Sequence, residues 1–159
     1  MKRTFLALPL AMLAAANVFA VEPLEKQVTV IATIPTENFY VEPVGGNWMN
    51  EPQSMAWNPM RESLEPIRKQ LQVKSTTGAI SARLLSPAVI SSGAKSTGLD
   101  VAVNGTGLTT TSAPVVPAAD AAAGARVGFD VAAQSAGPSG YVPGNYQGII
   151  NMMFETVTP

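Results

Sequence analysis

The sequence predicts an all-β protein, a single domain in which seven or so short strands form a β-sandwich. Apolar and polar residues alternate along several short stretches, as they do in a strand that buries one face. Glycine, proline, serine and asparagine cluster between these stretches and are typical of turns. Short alternating segments separated by turn residues, in a chain of one-domain length, favour a sandwich.

The first twenty residues predict a secretory signal peptide rather than part of the fold. Lys2 and Arg3 precede an apolar run from Phe5 to Leu13, and Val18 and Ala20 occupy the positions that signal peptidase reads. The apolar run is too short to favour the alternative, a membrane anchor. Cleavage after Ala20 leaves 139 residues (159 less 20), which is enough for one domain with a core.

The composition excludes several classes of function. The chain contains no histidine and no cysteine, so it lacks the commonest general base, the usual zinc and copper ligands, and disulfide bonds. Serine–histidine and cysteine–histidine catalysis are excluded, and we expect no metal and no cofactor. The signal peptide takes two of the ten Lys and Arg, which leaves eight against eleven Asp and Glu. The mature chain is therefore slightly acidic and has no basic patch, so nucleic acid is not favoured as a partner.

The mature chain opens on the most regular strand pattern of the sequence, EKQVTVIATIPT. An extended Gln27–Ile34 has one apolar face and one mostly polar face. The apolar face consists of Val28, Val30, Ala32 and Ile34. Pro35 has no N–H to give to a ladder and ends the strand. Chain ends fray unless they are tied down, so this strand requires a partner.

Two shorter segments follow. A strand is predicted around Phe39–Val41, before a loop rich in glycine and proline. Further along, Met55 and Trp57 fall on one face before Pro59 interrupts the pattern, which predicts that Trp57 lies in the core.

The segment RESLEPIRKQLQVKST can be read as a helix or a strand. Leu64, Ile67 and Leu71 have helical spacing, but Pro66 would then lie inside the helix. The second half alternates instead, so a strand is predicted over Ile67–Ser75.

The middle of the chain predicts a turn at Gly78, a strand over Ala79–Leu85 and a stop at Pro87. In GLDVAVNGTGLTT the dipeptide Asn104-Gly105 suits the positive φ angles of a tight hairpin turn.

The last third predicts two further strands. Thr109–Ala125 is read as a loop or a weak edge strand. In ARVGFDVAA, Val127, Phe129 and Val131 share one face, and the final strand is predicted over Ile149–Thr156.

The two most orderly alternations thus stand at the two ends of the mature chain, and two interpretations remain open. In a closed sandwich both strands pair within one molecule. Alternatively, the N-terminal strand leaves its own domain and fills an open sheet edge of another subunit by β-strand addition. The short tail VEPLEK before the strand and Pro35 after it would free it to do so.

Both ends of the chain carry a resemblance to known proteins. The start, EKQVTVIATIPTENFYVEPVGG, and the end, GYVPGNYQGIINMMFET, resemble the major subunits of alternate chaperone–usher fimbriae. This is the class 5 family, typified by colonization factor antigen I and similar to the cable pili. SMAWNPM and VAVNGTGLT are similar to middle segments of those pilins, so the resemblance covers nearly the whole mature chain. Thr109–Ala125 is its weakest part, and this chain has a few extra residues before Glu25.

The resemblance implies an incomplete immunoglobulin-like β-sandwich that is completed by a donor strand from another subunit. Residues 1–20 would be the signal peptide, 21–35 the N-terminal donor segment and 36–159 the pilin domain. The inserted side chains would be Val28, Val30, Ala32 and Ile34. The final strand would border the acceptor groove, lined by Ile150, Met152 and Phe154.

The resemblance also implies partners and a location. Identical subunits would polymerise head to tail into a surface fimbria that supports adhesion. A periplasmic chaperone would lend each subunit a strand, and an outer-membrane usher would exchange that strand for the next subunit's donor strand. The family's tip adhesins are much longer chains, so a chain of this length is expected to be the shaft subunit.

An enzyme is the second class of function, and its only available chemistry is a carboxylate pair. Glycoside hydrolysis requires two carboxyls at a set separation across a cleft. The acids considered for such a pair are Glu62, Glu65, Asp100, Asp120 and Asp130, and each is more simply a solvated surface charge. We expect no enzymatic activity.

A self-contained β-sandwich that binds carbohydrate or another surface is the alternative function. The aromatic residues considered as a stacking platform are Trp48, Trp57, Tyr40 and Tyr141. Trp48, in a loop with glycine and asparagine, is the better surface candidate, whereas Trp57 is expected in the core.

Overall fold

A computed structural model describes residues 38–137 and 140–157. The predicted signal peptide and the predicted strand Gln27–Ile34 lie outside them. The elements are β1 (Phe39–Pro43), β2 (Trp57–Asn58), β3 (Ser63–Leu64), β4 (Ile67–Ser75), β5 (Ala79–Leu84), β6 (Val89–Ser92), β7 (Lys95–Val103), β8 (Thr106–Gly107), β9 (Ala113–Val116), α1 (Ala118–Ala123), β10 (Ala125–Ala133) and β11 (Met152–Val157). In this part of the chain no helix is long and apolar enough to cross a membrane.

The strands form two antiparallel sheets, which confirms the all-β sandwich. The larger sheet has the order β1-β4-β10-β7-β6, with β8 added to β7, and the smaller has the order β11-β5-β9. β2 and β3 pair with each other separately. The chain passes from one sheet to the other between β4 and β5, through the turn Thr76–Gly78. We call the end of the sandwich that carries this turn the turn end.

The core lies between the two sheets and follows the period of two along β4, β7 and β10. In β4, Leu71 and Val73 are fully buried while Arg68 and Gln70 are exposed. Val127, Phe129 and Val131 of β10 are buried, as their shared face predicts. The smaller sheet contributes the buried side chains of Ile80, Ala82, Leu84, Val115 and Val116. In β4 and β10, alternation assigns the buried residues to the inner face because successive side chains of a strand point to opposite faces. Val115 and Val116 are adjacent in β9, whose pairing with β5 shifts register, so alternation does not account for both.

Several predicted elements are confirmed with their boundaries close to those expected. β4 spans Ile67–Ser75 and starts directly after Pro66. The hairpin after β7 turns at Asn104 and Gly105, whose φ angles of 51° and 76° are both positive, as a type I′ turn requires. The side-chain Nδ2 of Asn104 donates a hydrogen bond of 2.8 Å to the carbonyl oxygen of Val115, which ties this turn to β9.

Other boundaries differ from prediction. β5 ends at Leu84 instead of Leu85, and β11 begins at Met152 instead of Ile149, whose side chain is exposed. Within Thr109–Ala125 the edge-strand reading is right for β9, but the helix α1 was not predicted. Its sequence AADAAA combines the best helix former with an acidic residue in the first turn.

The two tryptophans exchange the places that the sequence predicts for them. Trp48, predicted at the surface, is only 7% exposed and stacks on Phe129 with ring centroids 5.3 Å apart. A 3₁₀ turn over Trp48–Asn50 folds its loop back onto the core. Trp57, predicted in the core, is 49% exposed and meets Tyr141 edge-on at 5.7 Å. It belongs to a two-residue strand paired only with β3 among the described elements, so neither sheet covers it.

Candidate functional site

The edge strand β11 is the feature that the predicted site depends on. One edge of β11 pairs with β5 along its whole length, from Met152 opposite Leu84 to Val157 opposite Ala79. Its other edge pairs with no strand among residues 38–137 and 140–157. An edge strand of this kind presents backbone N–H and C=O groups that another strand can bind.

The two faces of β11 are distinguished by their contacts. On the outer face, Glu155 pairs with Arg83 at 3.5 Å, and the guanidinium of Arg83 also contacts the sulfur of Met153 at 3.3 Å. On the inner face, the hydroxyl of Thr156 lies 2.7 Å from that of Ser75 in the opposite sheet. Met152 and Phe154 share the face of Thr156, so they point between the sheets.

The described sandwich is incompletely covered on the side where β11 lies. The Ser75–Thr156 contact places β11 across from β4, and β4 has only β1 beyond it in the larger sheet. The inward apolar residues of these two edge strands pack on the core but are only partly buried, whereas most of those in the central strands are buried. They are Phe39 and Val41 of β1, and Met152 and Phe154 of β11. Ile150, just before β11, is also partly buried against the core.

A cluster of three hydroxyls holds the end of β11 and was not anticipated from the sequence. Ser75 is fully buried at the last residue of β4. Its hydroxyl lies 3.2 Å from that of Thr77, and Thr77 in turn lies 2.8 Å from Thr156. The buried hydroxyl is thus satisfied by the other sheet, as buried polar groups generally must be. In the sequence, this cluster is indicated by Ser75, a polar residue at a position of the alternating strand β4 that faces the core.

The start of β11 is held by the segment that precedes it. Gln147 and Ser91 exchange two backbone hydrogen bonds, of 2.9 and 3.0 Å, and the N–H of Leu85 donates to the carbonyl of Asn151 at 2.9 Å. Gly148 lies between these contacts, and a Cβ at this position would overlap the carbonyl oxygen of Val89. Only glycine permits this close approach of two backbones.

Replacement of this glycine is therefore expected to disturb β11. Gly148→Ala should lower the free energy of unfolding by about 1–3 kcal/mol, because the backbone must shift to relieve the overlap. The matched control is Gly107→Ala, since a Cβ there meets no atom within 4 Å. Denaturant unfolding of the two purified variants measures the difference. Equal stability of both would show that Gly148 does not position β11.

The structure does not bring together the residues that an aromatic platform or a carboxylate pair would require. Trp57 and Tyr141 contact each other, but Trp48 is in the core and does not join a surface platform. Several of the carboxylates make ordinary surface contacts. Glu65 pairs with Arg61 at 3.9 Å, Asp130 pairs with Arg68 at 3.9 Å, and Asp100 accepts a hydrogen bond from Gln134.

Comparisons with known proteins agree with this architecture. The family model described as "CS1 type fimbrial major subunit" matches residues 24–155. Among solved structures, the CooA pilin subunit from enterotoxigenic Escherichia coli superimposes with a TM-score of 0.64 at 14% sequence identity. The match covers 76% of this chain and 88% of that pilin, and at this identity it shows a shared fold. A search of curated proteins finds no significant match.

Proposed function

This chain belongs to the family of CS1-type fimbrial major subunits and is a structural subunit of a surface pilus, and we propose that its copies are joined by strand donation. In this proposal Gln27–Ile34 of one copy adds to the free edge of β11 in another copy. Its apolar face then covers the partly buried residues of β1 and β11. Each copy both donates and accepts, so the contact is heterologous and extends into a fibre rather than closing into a dimer.

The incompletely buried apolar residues on the β11 side are the observation that supports this proposal. Met152, Phe154 and Ile150 present apolar surface there, and the donor face offers Val28, Val30, Ala32 and Ile34 in return. Burial of each large side chain contributes about 1.5–3 kcal/mol. The new ladder adds about 0.5–1.5 kcal/mol for each backbone hydrogen bond. These gains oppose the entropy lost when the tail becomes ordered.

The positions of the end of β11 and of Asn38 support one direction for the donor strand. β11 ends at the turn end, beside β5, and Asn38 also lies there because its carbonyl accepts from the N–H of Thr76. In a fibre whose subunits all point the same way, the turn end of one copy faces the opposite end of the next. Only three residues separate Ile34 from Asn38, so the donor strand must finish at that opposite end. It therefore runs antiparallel to β11.

The proposal extends to the partners that the resemblance implies. A subunit with an open sheet edge and partly exposed apolar residues is prone to aggregate before it meets another copy. A periplasmic chaperone that lends a strand prevents this, and an outer-membrane usher and a tip adhesin complete the assembly. Within the chain, residues 1–20 direct export, 21–35 form the donor segment and 36–159 form the pilin domain.

A charge on the inserted face of the donor strand tests this proposal. Ala32→Asp should block fibre assembly, because the carboxylate would be buried without a partner. Thr33→Asp is the matched control, since Thr33 lies on the other face of the strand. Fibres on cells carrying each variant are counted by electron microscopy and compared with wild type. Normal assembly of the Ala32→Asp variant would show that this face is not buried.

A further inference from the structure

An aromatic pocket lies at the end of the sandwich opposite the turn end. It has a volume of about 320 Å³, and Trp57, Leu64, Ile90, Tyr141 and Tyr146 are among its lining residues. We call it the aromatic pocket. A second cavity of about 220 Å³ adjoins it and is bordered by Lys95. The two share Thr97, Tyr141, Val142 and Tyr146.

The position of the aromatic pocket follows from the strand register. Leu64 leads into β4, which begins at this end of the sandwich. Thr97 lies just before Leu99, which pairs with Ala133 at the last residue of β10. The positions of Leu64 and Thr97 therefore place the pocket at the end where β4 begins and β10 finishes. Strand donation, as proposed above, makes this end face the turn end of the neighbouring copy.

This arrangement brings the residues before the donor strand to the pocket. Consider three successive copies, of which the first donates its strand to the second and the second donates to the third. The donor strand of the first copy is antiparallel to β11, so it begins at the turn end of the second copy. That turn end faces the aromatic pocket of the third copy. Residues 21–26 of the first copy therefore emerge beside it, and six extended residues reach about 20 Å.

The chemistry of this tail matches the pocket. Its sequence is VEPLEK, and Val21, Pro23 and Leu24 are apolar. Aromatic-lined grooves bind proline in an extended chain, because the ring is apolar and its backbone is already restricted. Glu22 carries a charge opposite to that of Lys95, which borders the adjoining second cavity. The fimbrial family model begins only at residue 24, so Val21–Pro23 precede the part of the chain that it matches.

We propose that Val21–Leu24 of one copy binds the aromatic pocket of the copy two positions along the fibre. The proposal rests on strand donation as the mode of assembly. Each subunit would then contact two others through one continuous N-terminal segment. Because the donor strand already holds the tail close to the pocket, the second contact forms at a high effective concentration. It would stabilise the fibre against dissociation, although the fibre can form without it.

Engineered cysteines test the contact directly, since the chain has none of its own. Leu24→Cys combined with Leu64→Cys should form disulfides between copies in the oxidising periplasm. Boiling in detergent without reductant should then leave a ladder of covalent oligomers, which reductant removes. The matched control combines Leu24→Cys with Gln70→Cys, an exposed position near the middle of β4, and should give monomer. Fibres without a ladder from the first pair, or with a ladder from the control, would overturn the proposal.

The fluorescence of Trp57 provides a second test that needs no disulfide. In a Trp48→Phe background Trp57 is the only tryptophan. Its emission should be quenched less by iodide in fibres than in fibres whose chains lack Val21–Leu24. Equal quenching in the two fibres would contradict the contact.

The disassembly rate is a third readout, and it separates the two proposals. Deletion of Val21–Leu24 should leave fibres that dissociate in denaturant about tenfold faster or more, as expected for loss of an aromatic hot spot. Trp57→Ala should have the same effect, and the two changes together should add little. Unchanged rates would refute the tail contact alone. Absence of strand-linked polymer from the intact chain would refute strand donation instead.

Discussion

A chain that lacks Val21–Pro35 but keeps its signal peptide will form no fibre and will accumulate as a chaperone-bound subunit. It keeps β11 and the partly buried apolar residues beside it, so it can still accept a strand. It has no strand to give, so no chain of contacts can grow. This is the largest effect that we expect from any change to the sequence, because polymerisation is lost rather than weakened.

The measurement is an unboiled gel of the purified protein with and without these fifteen residues. The intact chain should give a ladder of oligomers that resist denaturant, and the truncated chain should give none. The control is deletion of Val21–Leu24 alone, which leaves Gln27–Ile34 in place and should keep the ladder. Normal fibres from the longer deletion would rule out strand donation. A single monomer band from both chains, each folding cooperatively, would mean that the sandwich closes on its own strand.

Trp48→Ala will destabilise the domain far more than Trp57→Ala, the reverse of what the sequence pattern suggests. Trp48 is buried against Phe129, and its replacement leaves a large cavity. Such changes cost about 3–5 kcal/mol of unfolding free energy. Trp57 is half exposed and loses mainly its edge-on contact with Tyr141, worth about 1 kcal/mol.

Denaturant unfolding followed by circular dichroism compares the two variants under identical conditions. Each change removes one indole from the same fold, so the pair acts as its own control. A larger loss of stability in Trp57→Ala would mean that Trp57, and not Trp48, anchors the core. Since Trp57→Ala should leave the subunit folded, it is also the suitable variant for testing the aromatic pocket in fibres.

Local patterns were sufficient for much of the fold. The alternation over Ile67–Ser75 gives β4 its boundaries, and Asn104-Gly105 specifies its hairpin turn. These features depend on the two-residue period of a strand and on backbone angles at single residues. Both act over a few neighbouring positions, so they can be read from the sequence.

Contacts between segments that are far apart in the sequence could not be predicted from local patterns. Gly148 lets the segment before β11 lie against β6, and no pattern within GNYQGIINMMFETV shows that approach. The placement of Ile150, Met152 and Phe154 against the core agrees with the predicted groove, while their role in accepting a strand stays a prediction. The partner strand itself, Gln27–Ile34, lies outside the described residues.

The sequence by itself determined the all-β class, the main strands and the family, because alternation, turn residues and terminal motifs are local signals. Only the tertiary structure decided which side chains are covered. Trp48 is buried because a 3₁₀ turn carries it onto Phe129, and Trp57 is exposed because its two-residue strand pairs outside both sheets. Burial depends on what the rest of the chain places on top of a residue. A short window of sequence therefore does not show how deeply a residue is buried.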